Sequence, residues 1–172
     1  MKLEVVVIPV ADADRAKRFY GDLGWRLDID HSAGDNYQVI QFTPPGSGCS
    51  IMFGKNVSKA APGSVKGLHL IISDIQATRE DLVRRGIAVS ELFHDAGGIF
   101  YHAEGESLVI GPNLQRKSYA SFASFSDPDG NGWVLQEITA RLTEHIADGE
   151  TSFTPELTNV VRHAAAGNGS IL

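Results

Sequence analysis

Apolar and polar positions along the chain switch between two periods, and the switches mark the elements. Leu3 to Val10 is an apolar run of strand length. Asp12 follows as a helix N-cap with Asp14 in the first turn, where a carboxylate suits the helix dipole. Ala16, Phe19, Tyr20 and Leu23 then recur at helical spacing on one face, and Gly24 ends that helix. Trp25 to Ile29, Tyr37 to Thr43 and Cys49 to Phe53 read as strands, separated by turns at Gly34-Asp35-Asn36 and Pro44 to Gly48. The first module, residues 1–53, is therefore β-α-β-β-β.

Residues 54–67 are small and polar with Pro62-Gly63, and read as a linker. The pattern then restarts. Leu68 to Ile72 is a strand, Asp74 a second N-cap, Ile75, Leu82 and Val83 lie within a helix, and Gly86 stops it. Val10, Asp12 and Gly24 recur as Ile72, Asp74 and Gly86 at constant spacing, which marks an internal repeat. A strand near Ile87 to Phe93 follows, then a Gly-rich connection from His94 to Lys117 with a short strand around Ser107 to Ile110. Ser118 to Phe125 and Gly132 to Thr139 close the second module, residues 68–139, as a hairpin. Pro128 presets φ in its turn, and Gly130 and Asn131 tolerate left-handed backbone. In the tail, residues 140–172, Thr154-Pro155-Glu156 opens a short amphipathic helix with Leu157, Val160, Val161 and Ala164 on its apolar face.

A four-stranded sheet with one helix buries only one face. Two such units side by side curve around a cleft with helices outside, which puts the chain in the α+β class. Composition narrows the partners. The net charge of −6, with no run of Lys or Arg longer than two, argues against nucleic acid and anionic membrane. The longest apolar run is too short to span a bilayer, and the first residues lack a signal-peptide layout, so the cytoplasm is the expected compartment. A single cysteine, Cys49, excludes an internal disulfide and a Cys-rich zinc site.

The hairpin Phe125-Ser126-Asp127-Pro128-Asp129-Gly130-Asn131 and the helix Arg15-Ala16 through Phe19-Tyr20 to Leu23-Gly24-Trp25 resemble those of the glyoxalase, bleomycin-resistance and extradiol-dioxygenase proteins, the vicinal oxygen chelate superfamily. With the repeat, the resemblance covers residues 3 to 139. It implies two β-α-β-β-β modules, each sheet lining a cleft, often paired as a homodimer. In metal-using members, His, Gln or Glu from the first and last strand of each module hold one divalent ion. By the superfamily's spacing those positions are Val5, Gly67 and Val134, while the strand Cys49 to Phe53 holds no His, Gln or carboxylate. The resemblance therefore implies no cofactor, or a divalent metal only through non-standard ligands.

The expected function is that of a small-molecule cleft, metal-free, binding or sequestering a hydrophobic or aromatic compound. The alternative is a metal-dependent lyase, isomerase or dioxygenase whose metal has moved to His94, His102 and Glu104 with His69. Those residues otherwise read as solvated loop groups; His94, Tyr101 and His102 are also candidates for a lid. The expected ligand-facing residues are Val5, Val7, Phe42, Met52, Phe125 and Val134, with His69 and Gln136 as the polar pair. Stepping two residues from Gly67 and Val134 keeps that pair on the cleft side by strand alternation. Ordinary core packing explains most of the aromatic residues better than a pocket does, and a satisfied buried pair explains His69 and Gln136 equally well. Alternation turns Glu137 away from the cleft.

Overall fold

A computed structural model describes residues 1–96, 108–140, 154–159 and 162. Helix α1 spans Ala13–Asp22. Asp12 caps it, accepting from the Arg15 amide at 2.9 Å. The apolar face predicted from spacing is the packed one: Ala16 and Tyr20 are fully buried and Leu23 nearly so. The helix stops where the Leu23 amide reaches Phe19 O and Gly24 takes φ +78°, a conformation that costs glycine little. Helix α2, Ile75–Arg84, ends the same way at Gly86 with φ +84°.

Strands β1 (Val5–Val7), β2 (Arg26–Ala33), β3 (Tyr37–Thr43) and β4 (Ser50–Phe53) form one sheet in the order β1-β4-β3-β2. Strands β5 (Leu68–Ile72), β6 (Phe93–Asp95), β7 (Leu108–Ile110), β8 (Ser121–Ser126) and β9 (Gly132–Glu137) form the other, in the order β5-β9-β8-β6-β7. Apart from the added β7 edge, the two orders are the same path, so the repeat read from sequence is a repeat of topology. β1 runs parallel to β4, as a helix crossover requires, with Val5 opposite Ser50 and Val7 opposite Met52. The chain separates into two compact units, one of Met1–Leu70, Ala77–Ser90 and Ala123–Leu135, the other of Ile71–Gln76, Glu91–Phe122 and Gln136–Leu172.

Three elements differ from their expectations. β2 continues to Ala33 although all eight of its residues are exposed, because backbone pairing with β3, and not burial, carries the hairpin to Ala33 opposite Tyr37. The strand expected near Ile87 to Phe93 is broken. Val89 bridges Phe125, and Ser90 then gives its side-chain oxygen to the Ser124 amide at 2.9 Å, so regular pairing resumes only at Phe93. Asn131 does not supply left-handed backbone; only Gly130 in that turn does, at φ +94°. Asn131 serves through its amide. Its Nδ2 donates to Asp127 Oδ2 at 2.7 Å and to Pro9 O at 2.9 Å, and its Oδ1 accepts from the Val65 amide at 3.2 Å. Residues 155–159 are helical behind a Thr154 cap, while the rest of that apolar face lies outside the described residues.

The first unit is centred on Tyr20. Its ring lies 5.1 Å from Trp25, 5.4 Å from Phe53, 6.2 Å from Phe42 and 6.1 Å from Trp133. Its hydroxyl donates to Asp127 Oδ2 at 2.9 Å and accepts from Trp133 Nε1 at 3.2 Å. Burial, and then the neighbouring Asp127 carboxylate, push the Tyr20 hydroxyl upward, so it is a proton donor at neutral pH. Asp127→Ala leaves these buried donors without an acceptor and is expected to destabilise the chain by about 3 kcal/mol; Tyr20→Phe, which keeps the ring, should lose about 1 kcal/mol. Urea unfolding of the two variants measures both, and equal losses would contradict this ranking.

Candidate functional site

The faces of the first sheet follow from its register. Val5, Val7, Ser50 and Met52 share one side, and Gln41 joins them opposite Met52. Ile51, opposite Phe42, and Phe53, opposite Ile40, share the other side, under α1. Phe42, expected in the cleft, is therefore a core residue: it is 2% exposed and stacks on Phe53 at 6.1 Å and 8°. Val5 is half-buried and Val7 is 41% exposed, so both remain open to a ligand on their side.

Among the recesses formed by the described residues of the first unit, two reach Gly67, where the superfamily pattern would place a metal ligand. The larger, about 550 Å³, is lined by Gly67, Ala88, Phe125, Gly132, Trp133 and Val134, with Ser124 and Ser126 at its polar edge. The smaller, about 320 Å³, has apolar walls of Leu3, Val6, Ile51, Leu68 and Leu70, with Ser47, Cys49, Ser50 and His69 as polar groups. Gly67 and Trp133 belong to both. A Cβ at Gly67 would meet no atom within 4 Å, so glycine there borders open space. These volumes suit a small organic molecule.

The remaining expected residues take distinct places. Phe125 and Val134 meet in the larger recess, where the Phe125 ring stacks on Trp133 at 6.2 Å and 11°. His69 is exposed and lines the smaller recess. Gln136 is 7% exposed and donates its amide to Tyr119 O at 3.1 Å. His94, read as part of a loop, is in β6 opposite Val109, with Nδ1 2.8 Å from Gly111 O. Tyr101, His102 and Glu104 lie outside the described residues.

The superfamily's metal does not fit the side chains at the positions its pattern assigns. Val5, Gly67 and Val134 offer no side-chain donor. Among the described residues, no three His, Cys, Asp or Glu side chains converge. Glu137 is fully buried and already engaged. It accepts from Arg116 Nε at 2.9 Å and from Arg116 Nη2, and its Oε1 accepts from the Ile75 amide at 3.2 Å, closing the first turn of α2. Hydrogen bonding to Glu137 raises the Arg116 guanidinium further above its ordinary value.

Sequence reasoning missed a polar chain on the open face of the first sheet. Asp28 accepts from Arg26 Nε at 2.6 Å and from the Thr43 hydroxyl, and Thr43 Oγ1 lies 2.7 Å from Ser50 Oγ. Arg26, then Thr43, hold the Asp28 carboxyl below its ordinary value of 3.8. Only the polar residues Arg26, Asp28 and Thr43 inside strand patterns could have signalled it.

Residues 2–135 match the Glyoxalase/Bleomycin resistance protein/Dioxygenase superfamily. No curated protein matches the chain. Among solved structures, TnmS3, an antibiotic binding protein from Streptomyces sp. CB03234, is 28% identical, with a TM-score of 0.59 over 80% of this chain and 96% of its own. A glyoxalase/bleomycin resistance protein from the same organism is also 28% identical, with a TM-score of 0.57 over 79% and 100%. A superfamily member from Sphaerobacter thermophilus DSM 20745, at 23% identity and TM-score 0.59 over 80% and 97%, shares the fold.

A group held below its ordinary value contributes stability above that value and loses it as pH falls through the folded-state midpoint. In a carbon-13 NMR titration, the Asp28 carboxyl should therefore titrate below 3.8 in the wild type and move back toward it in Arg26→Ala. An Asp28 midpoint at or above the ordinary value would remove the interaction.

Proposed function

Because the chain belongs to the Glyoxalase/Bleomycin resistance protein/Dioxygenase superfamily, we propose that it binds and sequesters a small hydrophobic or aromatic molecule without a metal. The observation that carries this reading is the substitution of the metal positions by residues that shape space. Gly67 opens both recesses, and Val134 lines the larger one with Phe125 and Trp133. An apolar, aromatic wall with a few polar groups is the usual make-up of a preformed small-molecule site. The antibiotic binding protein at 28% identity supports a small-molecule ligand. The ligand enters a recess built on strands, so binding needs little ordering of the protein.

The molecule acts as a homodimer in this reading, following the superfamily's habit of pairing modules across chains. Among the described residues no helix is long and apolar enough to cross a membrane.

Three measurements test the reading. Val134→Phe fills the larger recess from a half-buried position and should weaken binding of an aromatic fluorophore such as 1-anilinonaphthalene-8-sulfonate about tenfold, with the thermal midpoint little changed. Unchanged affinity would remove the recess from the site. Elemental analysis of chain purified without chelator should return no stoichiometric Fe, Mn, Ni or Zn; one metal ion per chain would overturn the metal-free reading. Sedimentation at micromolar concentration should give a dimer, and a monomer would remove that part.

A further inference from the structure

The polar chain on the first sheet ends at the smaller recess, and it has a direction. Asp28 is the extra residue where β2 slips register, between Leu27 opposite Phe42 and Ile29 opposite Gln41. Such a bulge re-aims its side chain. Here the carboxylate meets Arg26 on one oxygen and Thr43 on the other. Thr43 reaches Ser50, and Ser50 lines the recess. Thr43 and Ser50 are 7% and 8% exposed, so water does not compete freely for their protons.

Each hydroxyl has one proton and two lone pairs. At neutral pH the Asp28 carboxylate is ionised and only accepts, so the Thr43 proton points to Asp28. The 2.7 Å contact between Thr43 and Ser50 then takes its proton from Ser50. Ser50 is left with lone pairs alone for a ligand. The neighbouring polar groups do not reverse this. The Ser47 hydroxyl donates to Cys49 O at 2.6 Å, and the Cys49 thiol, a weak donor, points to Ser50 O at 3.6 Å. His69 takes either role according to its tautomer.

We propose that this relay makes the smaller recess selective for an aromatic ligand that donates a hydrogen bond, a phenol or an N–H compound, over the same skeleton with that proton replaced by methyl. The inference deepens the small-molecule reading above and rests on it.

The test compares 2-naphthol with 2-methoxynaphthalene on the full chain at pH 7, read by quenching of tryptophan fluorescence, since Trp133 lines the recess. Wild type should bind the naphthol about tenfold more tightly, the value of one good hydrogen bond in a dry site. Ser50→Ala should bring the two affinities together by weakening the naphthol alone, while Ser50→Thr keeps the preference. Asp28→Asn should narrow it, because an amide can donate to Thr43 and free the Ser50 proton; this variant carries the test if Ser50→Ala does not fold. Equal binding of both probes by wild type, or a preference undiminished in Ser50→Ala and Asp28→Asn, overturns the relay and leaves the recess standing. Binding of neither probe overturns the recess as a site and the relay with it.

Discussion

The Asp127 carboxylate, 4% exposed, is the group on which the first unit's geometry depends. A buried charge is tolerated only when donors surround it. Asp127 receives four: the Tyr20 hydroxyl, the Asn131 side-chain amide, and the backbone amides of Asp129 and Asn131 at 3.0 and 2.8 Å. Each donor belongs to something that must be placed. Tyr20 fixes α1 against the sheet, the two backbone amides shape the β8–β9 turn, and Asn131 extends the network to the ends of β1 and the linker at Pro9 and Val65. The linker presses so close that a side chain at Gly63 would come within 2.0 Å of Asp129 O. The motif that betrays the superfamily in sequence is thus a clamp.

That division explains how much was legible. Ala16, Phe19, Tyr20 and Leu23 announced α1 because burial follows a helical period, and the repeat announced the second sheet because topology follows element order. Glu137 was legible only as lying on the strand side opposite Val134, since alternation leaves a strand residue two sides. Phe42 was not. It was grouped with Met52 as ligand-facing, but the register sets Met52 opposite Gln41 and puts Phe42 on the helix side. Register across the loop from Pro44 to Cys49 is set by the geometry of that connection and not by the apolar pattern, and the bulge at Asp28 is a register event of the same kind. The end of β2 was hidden because His31, Ser32 and Ala33 are all exposed and hold their strand through backbone bonds alone.

The two sheets show how one topology is kept while its contents diverge. In the first, the edge opposite β1 is the long exposed hairpin arm β2; in the second, the corresponding short β6 is covered by β7. Glu137 has been drawn into closing α2, where α1 uses Asp12 of its own chain neighbourhood. Acidic groups in both modules thus serve the helix starts. Polar selectivity on the first sheet falls to the hydroxyls of Thr43 and Ser50.

The backbone at Gly67 also sets what a substitution there would cost. Its φ of +71° is one that a side chain with a Cβ adopts only under strain. Writing a histidine or glutamate at that position would add a donor where the backbone resists one, and Val5 and Val134 would still have to change before an ion could be held. Placing side-chain donors at all of these positions would then take several substitutions, the one at Gly67 against its backbone conformation.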